Sequence, residues 1–198
     1  MSSPRFLSRC ALVILCGVLG GAVLLPRAAA QTTGKPESYN ATAVNMGSGP
    51  GMAGRVLVTI DRWSSAADRD RLLTVLRDKG PDKLLDALQD NAKVGYIRLP
   101  NTLAWDLRYA FEAALPEGGR RVVLATDRPI GMQEARNQPR TIDYPFTMIE
   151  IRFDKSGVGV GKMSVYSKIT LSKDKRTIEL ENYDIEPVRL TEVRIDNK

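Results

Sequence analysis

Three arginines in one connection carry the strongest chemical signal in this 198-residue chain. Arg128, Arg136 and Arg140 fall between Asp127 and Asp143, beside Pro129, Gly131, Glu134, Asn137 and Pro139, in a stretch too long for a simple turn. A guanidinium offers two parallel N–H donors to a carboxylate or phosphate, so such a loop could clamp an anionic group. Loops of this length in compact domains often serve as lids or binding loops. The same arginines have Asp127, Glu134 and Asp143 for neighbours, and pairing within the loop is the favoured reading of the two. Trp105 and Tyr109 are candidates for the apolar wall of a ligand site, Trp105 with core packing as the favoured alternative because it is in phase with the apolar side of its strand. Glu179 and Glu181 alternate with Ile178 and Leu180. Paired carboxylates do acid/base work only when burial raises one pKa, and a solvated strand face is the simpler expectation. Gly157, Gly159 and Gly161 lack the Lys-Ser/Thr and helix start of a phosphate loop and read as a hairpin.

Composition narrows the chemistry further. The chain has no histidine, and its two cysteines, Cys10 and Cys16, both lie in the first thirty residues. There Arg5 and Arg9 precede an apolar run from Cys10 to Leu25, followed by Pro26 and Ala28-Ala29-Ala30, the layout of a secretory signal peptide. Cleavage near Ala30 places the mature protein outside the cytoplasm, secreted or periplasmic, without stable membrane insertion. The 168 residues that remain have 26 basic and 23 acidic side chains, a formal charge of +3, which is too small and too dispersed to suggest a nucleic-acid partner. Without Cys or His they hold no disulfide, no zinc site of the usual kind and no Ser-His-Asp or Cys-His nucleophile. No catalytic residues, metal ligands or cofactor follow from the sequence, and it specifies no oligomeric state.

The elements that must position these residues are mostly strands. Residues 31–54, rich in Gly, Ser, Thr and Asn, read as a flexible leader before a single α+β domain over 55–198. Val56, Val58 and Ile60 share one face of a first strand. Ser64 or Ser65 caps a helix carrying Leu72, Leu73, Val75 and Leu76; Gly80 ends it, and Pro81 opens a second helix with Leu84, Leu85 and Leu88. These leucines predict a helix pair laid against a sheet.

Strands then follow at Val94 to Leu99, Ala104 to Leu115, Arg120 to Asp127, Tyr144 to Asp154, Val158 to Leu171, Thr177 to Tyr183 and Pro187 to Ile195. In the central hairpin, Trp105, Leu107, Tyr109 and Phe111 are expected to face the core and Glu112 the solvent. In the last strand, Val188 and Leu190 are out of phase with Val193 and Ile195, which predicts a bulge or a twisted edge. The whole predicts a curved antiparallel sheet or partial barrel of about eight strands, with the helix pair inserted after the first strand.

The segments Val94-Gly95-Tyr96-Ile97-Arg98, Trp105-Asp106-Leu107-Arg108-Tyr109, Ala125-Thr126-Asp127-Arg128-Pro129-Ile130, Arg140-Thr141-Ile142-Asp143-Tyr144-Pro145-Phe146 and Ile178-Glu179-Leu180-Glu181-Asn182-Tyr183 resemble those of an uncharacterised family of secreted bacterial proteins. The resemblance spans Arg55 to Arg194 and implies no activity. The order strand, two helices, antiparallel strands is also similar to the START-type helix-grip fold, whose curved sheet holds apolar ligands, although no long C-terminal helix follows Tyr183 here. Two functions are therefore expected as alternatives. One is an exported, non-enzymatic binding module for an apolar or amphipathic small molecule, anionic where the arginine loop takes part; the other is an envelope protein-interaction or assembly factor with a packed core and no ligand. A pocket lined by Leu107, Tyr109, Phe111 and Met163 favours the first, a filled core the second.

Overall fold

The computed structural model describes residues 34–44, 53–130, 144–172, 178–182 and 187–196. Nine strands run β1 (Glu37–Val44), β2 (Ala53–Ile60), β3 (Gly95–Arg98), β4 (Trp105–Ala114), β5 (Arg120–Thr126), β6 (Phe146–Phe153), β7 (Val158–Leu171), β8 (Ile178–Asn182) and β9 (Val188–Ile195). Eight of them close a ring in the order β1-β2-β3-β4-β5-β6-β7-β9, and each meets its neighbours antiparallel. The antiparallel sheet is thus a closed barrel rather than a partial one.

The eight ring strands are not the eight read from the sequence. Glu37–Val44 lies in the stretch expected to be a leader, yet it forms β1 and seals β2 to β9 along most of its length. Its inward positions are Tyr39, Ala41 and Ala43, all buried, and its outward positions Ser38, Asn40 and Thr42 are polar. Two of three inward side chains are alanines, so the alternation carries little hydrophobic contrast. Conversely, β8 stands outside the ring and pairs only with the C-terminal half of β7, Leu171 opposite Ile178 and Ser167 opposite Asn182. The helix pair follows the strand of Val56, Val58 and Ile60 as expected, and that strand is second in chain order because β1 precedes it.

An eight-stranded barrel has an interior just wide enough for side chains to fill or for one small ligand. Here it holds side chains. Tyr39, Ile60, Ile97, Leu107, Leu124, Ile149, Ile151, Met163 and Leu190 are each less than 2% exposed and belong to one cluster with Trp105 and Val122. Gly159 faces inward on β7, where a Cβ would stand 2.9 Å from the Phe153 ring, so the missing side chain makes room for that ring. At the β4–β5 turn Gly119 has φ 85°, and a Cβ there would lie 2.2 Å from the Phe153 carbonyl oxygen. That position combines a left-handed backbone with a close approach, and glycine alone meets both.

Helix α1 (Ala66–Lys79) and the shorter α2 (Leu84–Gln89), joined by a 3-10 turn at Pro81–Lys83, lie on the outside of the wall. Leu72, Leu76, Leu84, Ala87 and Leu88 form a second apolar layer there with Ala125 of β5 and Phe146 of β6, flanked by Tyr109, Met148, Ile169 and Leu171. The predicted leucine face therefore packs against a sheet, and the long arm of β7 beyond the ring borders it.

The start of α1 is tied to β4. Beyond Leu107, β4 has no pairing with β3, and Ser64 takes over: its N–H donates to the Ala110 carbonyl (2.8 Å) and its Oγ accepts from the Ala110 N–H (3.0 Å).

Candidate functional site

A β-bulge at Arg108 decides which side chains face which way. Leu107 is opposite Thr126 and Tyr109 opposite Ala125, so β4 advances two residues where β5 advances one. Trp105 and Leu107 point inward before the bulge; after it Ala110 and Glu112 point inward and Tyr109 and Phe111 outward. This corrects the expected common face of Trp105, Leu107, Tyr109 and Phe111: Glu112 is 7% exposed and Phe111 is only half-buried.

The bulge is held by side chains from three elements. Arg108 Nε donates to Asp127 Oδ2 at 2.9 Å and its Nη1 to the Asn91 carbonyl at 3.1 Å, while Asn91 Nδ2 donates to the Arg108 carbonyl at 3.2 Å. Arg71 of α1 also donates to Asn91 Oδ1 and to the Ala87 carbonyl. Nothing in the sequence around Arg108 announces this extra residue.

The residues proposed for ligand binding are consequently dispersed. Trp105 is 6% exposed inside the barrel. Tyr109 sits on the outer wall beneath the helices, with its ring 6.4 Å from that of Phe111, and burial pushes its hydroxyl pKa up to about 12. Arg128 is exposed just past the end of β5, where its carbonyl accepts from Thr126 Oγ1. Arg136 and Arg140 lie outside the described residues. Asp127, one of the acids expected to pair within the loop, pairs with Arg108 of β4. Ile130 is buried in the core and its N–H donates to Thr147 Oγ1 at 2.8 Å, so the beginning of the long connection is anchored. Leu107 and Met163 face the interior while Tyr109 and Phe111 face away from it, so these four cannot line one pocket.

Two sites that residue spacing did not bring together remain. The first is an ionic plug at the hairpin end of the barrel. Arg120 Nη2 bonds Glu37 Oε2 at 2.6 Å and Nη1 bonds Glu112 Oε2 at 2.7 Å; Tyr39 OH donates to Glu37 Oε2 at 2.6 Å. The guanidinium carbon stands 5.0 Å from the Phe153 ring centroid, a cation–π contact. Burial disfavours the Arg120 charge, yet its hydrogen bonds to Glu37 and Glu112 and the field of its neighbours raise its pKa on balance. Burial, the largest cause, and the bond to Glu37 both raise the Tyr39 pKa. Trp63 lies nearby in the core, its Nε1 donating to the Lys35 carbonyl at 3.0 Å. Both carboxylates are held by one guanidinium, an arrangement suited to sealing the barrel rather than to moving protons.

The second is an open groove of about 660 Å³ on the outside, where the β4–β5 and β6–β7 turns meet. Leu115, Val158 and Val160 supply its apolar part, and Arg152, Lys155, Glu117 and Asp154 its charge. Asp154 is committed to its own turn, accepting from Ser156 Oγ (2.6 Å), the main cause that lowers its pKa, and from the N–H groups of Val158 (3.1 Å) and Ser156 (2.8 Å). Glu179 and Glu181 of β8 are exposed, and Glu181 accepts from Tyr144 OH at 2.6 Å.

The fold and these sites define a closed, filled antiparallel barrel with an external helix pair. No family model, curated protein or solved structure matches the chain.

Proposed function

We propose that this protein is an exported interaction module of the cell envelope, which binds its partner on the outside of the barrel. The observation that carries this reading is the filled interior, where an internal ligand would have to displace Leu107, Leu124, Ile149 and Met163 from positions that are almost wholly buried. Displacing close-packed core side chains costs more than a small apolar ligand returns. The expected signal peptide supplies the compartment, and the dispersal of Trp105, Tyr109 and Arg128 over interior, wall and barrel end favours this reading over a small-molecule site assembled from them.

Native mass spectrometry of protein purified from the envelope of its own host tests this. The expected result is the bare polypeptide mass together with complexes that survive mild crosslinking. A stoichiometric apolar ligand whose extraction changes the fluorescence of interior Trp105 overturns the reading.

A further inference from the structure

We infer that the outer wall centred on Val160 docks on the surface of an anionic phospholipid bilayer. This names a partner for the outward-binding module proposed above and rests on that reading.

Val160 is 60% exposed although it lies within a strand, the third residue of β7, rather than in a loop. An apolar side chain held out from a sheet gains only when something apolar covers it. Its neighbour two residues back on the same face is Val158, half-buried, and both border the groove that contains Leu115. Around this apolar strip the pairing register places cations. Arg152 of β6 is directly opposite Val160, Arg194 of β9 is opposite Val158, and Lys162 follows two residues on.

The cations are set against one another. Lys162 is opposite Arg189 across β7 and β9, and Arg152 is opposite Arg121 across β5 and β6. Like charges directly opposite on neighbouring strands destabilise a sheet unless an anion lies between them. The acid on this face of β6, Glu150, is directly opposite Lys162 on its other side and accepts from Arg152 at 2.8 Å, so it answers one cation of the group. Lys162, Arg189 and Arg194 are exposed and take part in no ion pair among the described residues. Glu192 is the one exposed acid on β9; it occupies the bulge of that strand at φ 51°.

An apolar ridge on a convex wall, flanked by long cationic side chains that carry their charge outward, matches the chemistry of an anionic bilayer surface. The valines reach the acyl boundary, and the Lys and Arg heads meet the phosphates. A soluble polyanion would use the cations and gain nothing from Val160.

The test is co-sedimentation of the mature protein with phosphatidylcholine vesicles containing about 30% phosphatidylglycerol, against phosphatidylcholine alone, at low and high salt. Binding is expected to the anionic vesicles only, to weaken as salt rises, to fall about 100-fold in the triple variant K162A/R189A/R194A, and to be lost in V160D. All four positions are exposed, so the variants should keep the parent unfolding midpoint. Equal binding to neutral vesicles, no binding to either, or full binding by V160D overturns the lipid assignment. Affinity for soluble polyglutamate matching that for vesicles also overturns it, in favour of an acidic polymer. Native mass spectrometry of the interior does not depend on these surface residues, so failure here leaves the reading of a filled, outward-binding barrel to be judged separately.

Discussion

Glu112 and Phe111 are adjacent in sequence and exchange the roles that strict alternation assigns them. Glu112 turns into the barrel mouth to meet Arg120, while Phe111 lies on the outer wall with Arg69 5.7 Å above its ring. Removing one partner of a buried ion pair strands the other charge, which is costlier than trimming a half-buried ring. Arg120→Ala leaves both Glu37 and Glu112 without their cation and is expected to cost about 3–5 kcal/mol. Glu112→Ala, which leaves Arg120 its bond to Glu37, should cost about 2–3 kcal/mol, and Phe111→Ala about 1–2 kcal/mol. Urea midpoints of the three variants check the order. A loss for Phe111→Ala exceeding that for Glu112→Ala would mean that β4 runs without its bulge.

Among the elements, α1 is the one whose ends are written most plainly. Ser65 Oγ accepts from the Asp68 N–H at 3.1 Å and Asp68 Oδ2 accepts from the Ser65 N–H at 2.9 Å, a complete capping box, and Gly80 at φ 86° ends the helix. Ser65→Ala should cost about 1 kcal/mol and speed hydrogen exchange in the first turn. The hydrogen bond from the Ser65 N–H is the main cause that lowers the Asp68 pKa below its ordinary 3.8. A carboxyl with a depressed folded-state pKa contributes stability that is present above its unfolded value and is lost as pH falls through the folded one. Asp68→Asn should therefore flatten the acid limb of the stability curve below about pH 4, measured as urea midpoint against pH. An unchanged slope would mean that the cap does not form in solution.

Closure of the ring is a property of the whole molecule, and β1 supplies it. Without Glu37–Val44, β2 and β9 would each have a bare edge, the core would lose Tyr39, and Arg120 would lose Glu37. A chain beginning at residue 45 is expected to lose cooperative unfolding and to aggregate through the exposed edges, whereas one beginning at Gly34 should retain the parent midpoint. Circular dichroism during urea unfolding distinguishes them. A cooperative transition in the shorter chain would show that the remaining strands hold a core without the seam.

By itself the sequence determined the local elements: the alternation in β2, the capped α1 with its Gly80 stop, the Pro81 start, and the phase change in β9. That change is indeed a bulge, with Thr42 opposite Thr191 and Asn40 opposite Arg194. These features depend on residues a few positions apart, whose periods follow from the geometry of helix and strand. Tertiary structure decided three things that no local period encodes. The Arg108 bulge has no residue-type signature, because it is held by Asp127 just past the end of β5 and Asn91 after α2. Glu112 is buried because Glu37 and Glu112 converge on Arg120, and Glu37 is 83 positions from that arginine. The strand at Glu37–Val44 is paired through contacts as distant as Thr191 Oγ1 donating to the Thr42 carbonyl, 149 positions away. Its alanines and polar residues have a weak preference for strand, and the hydrogen bonds of two neighbouring strands overcome it. Which edges meet, and hence whether a sheet stays open or closes on a filled core, depends on all the strands together.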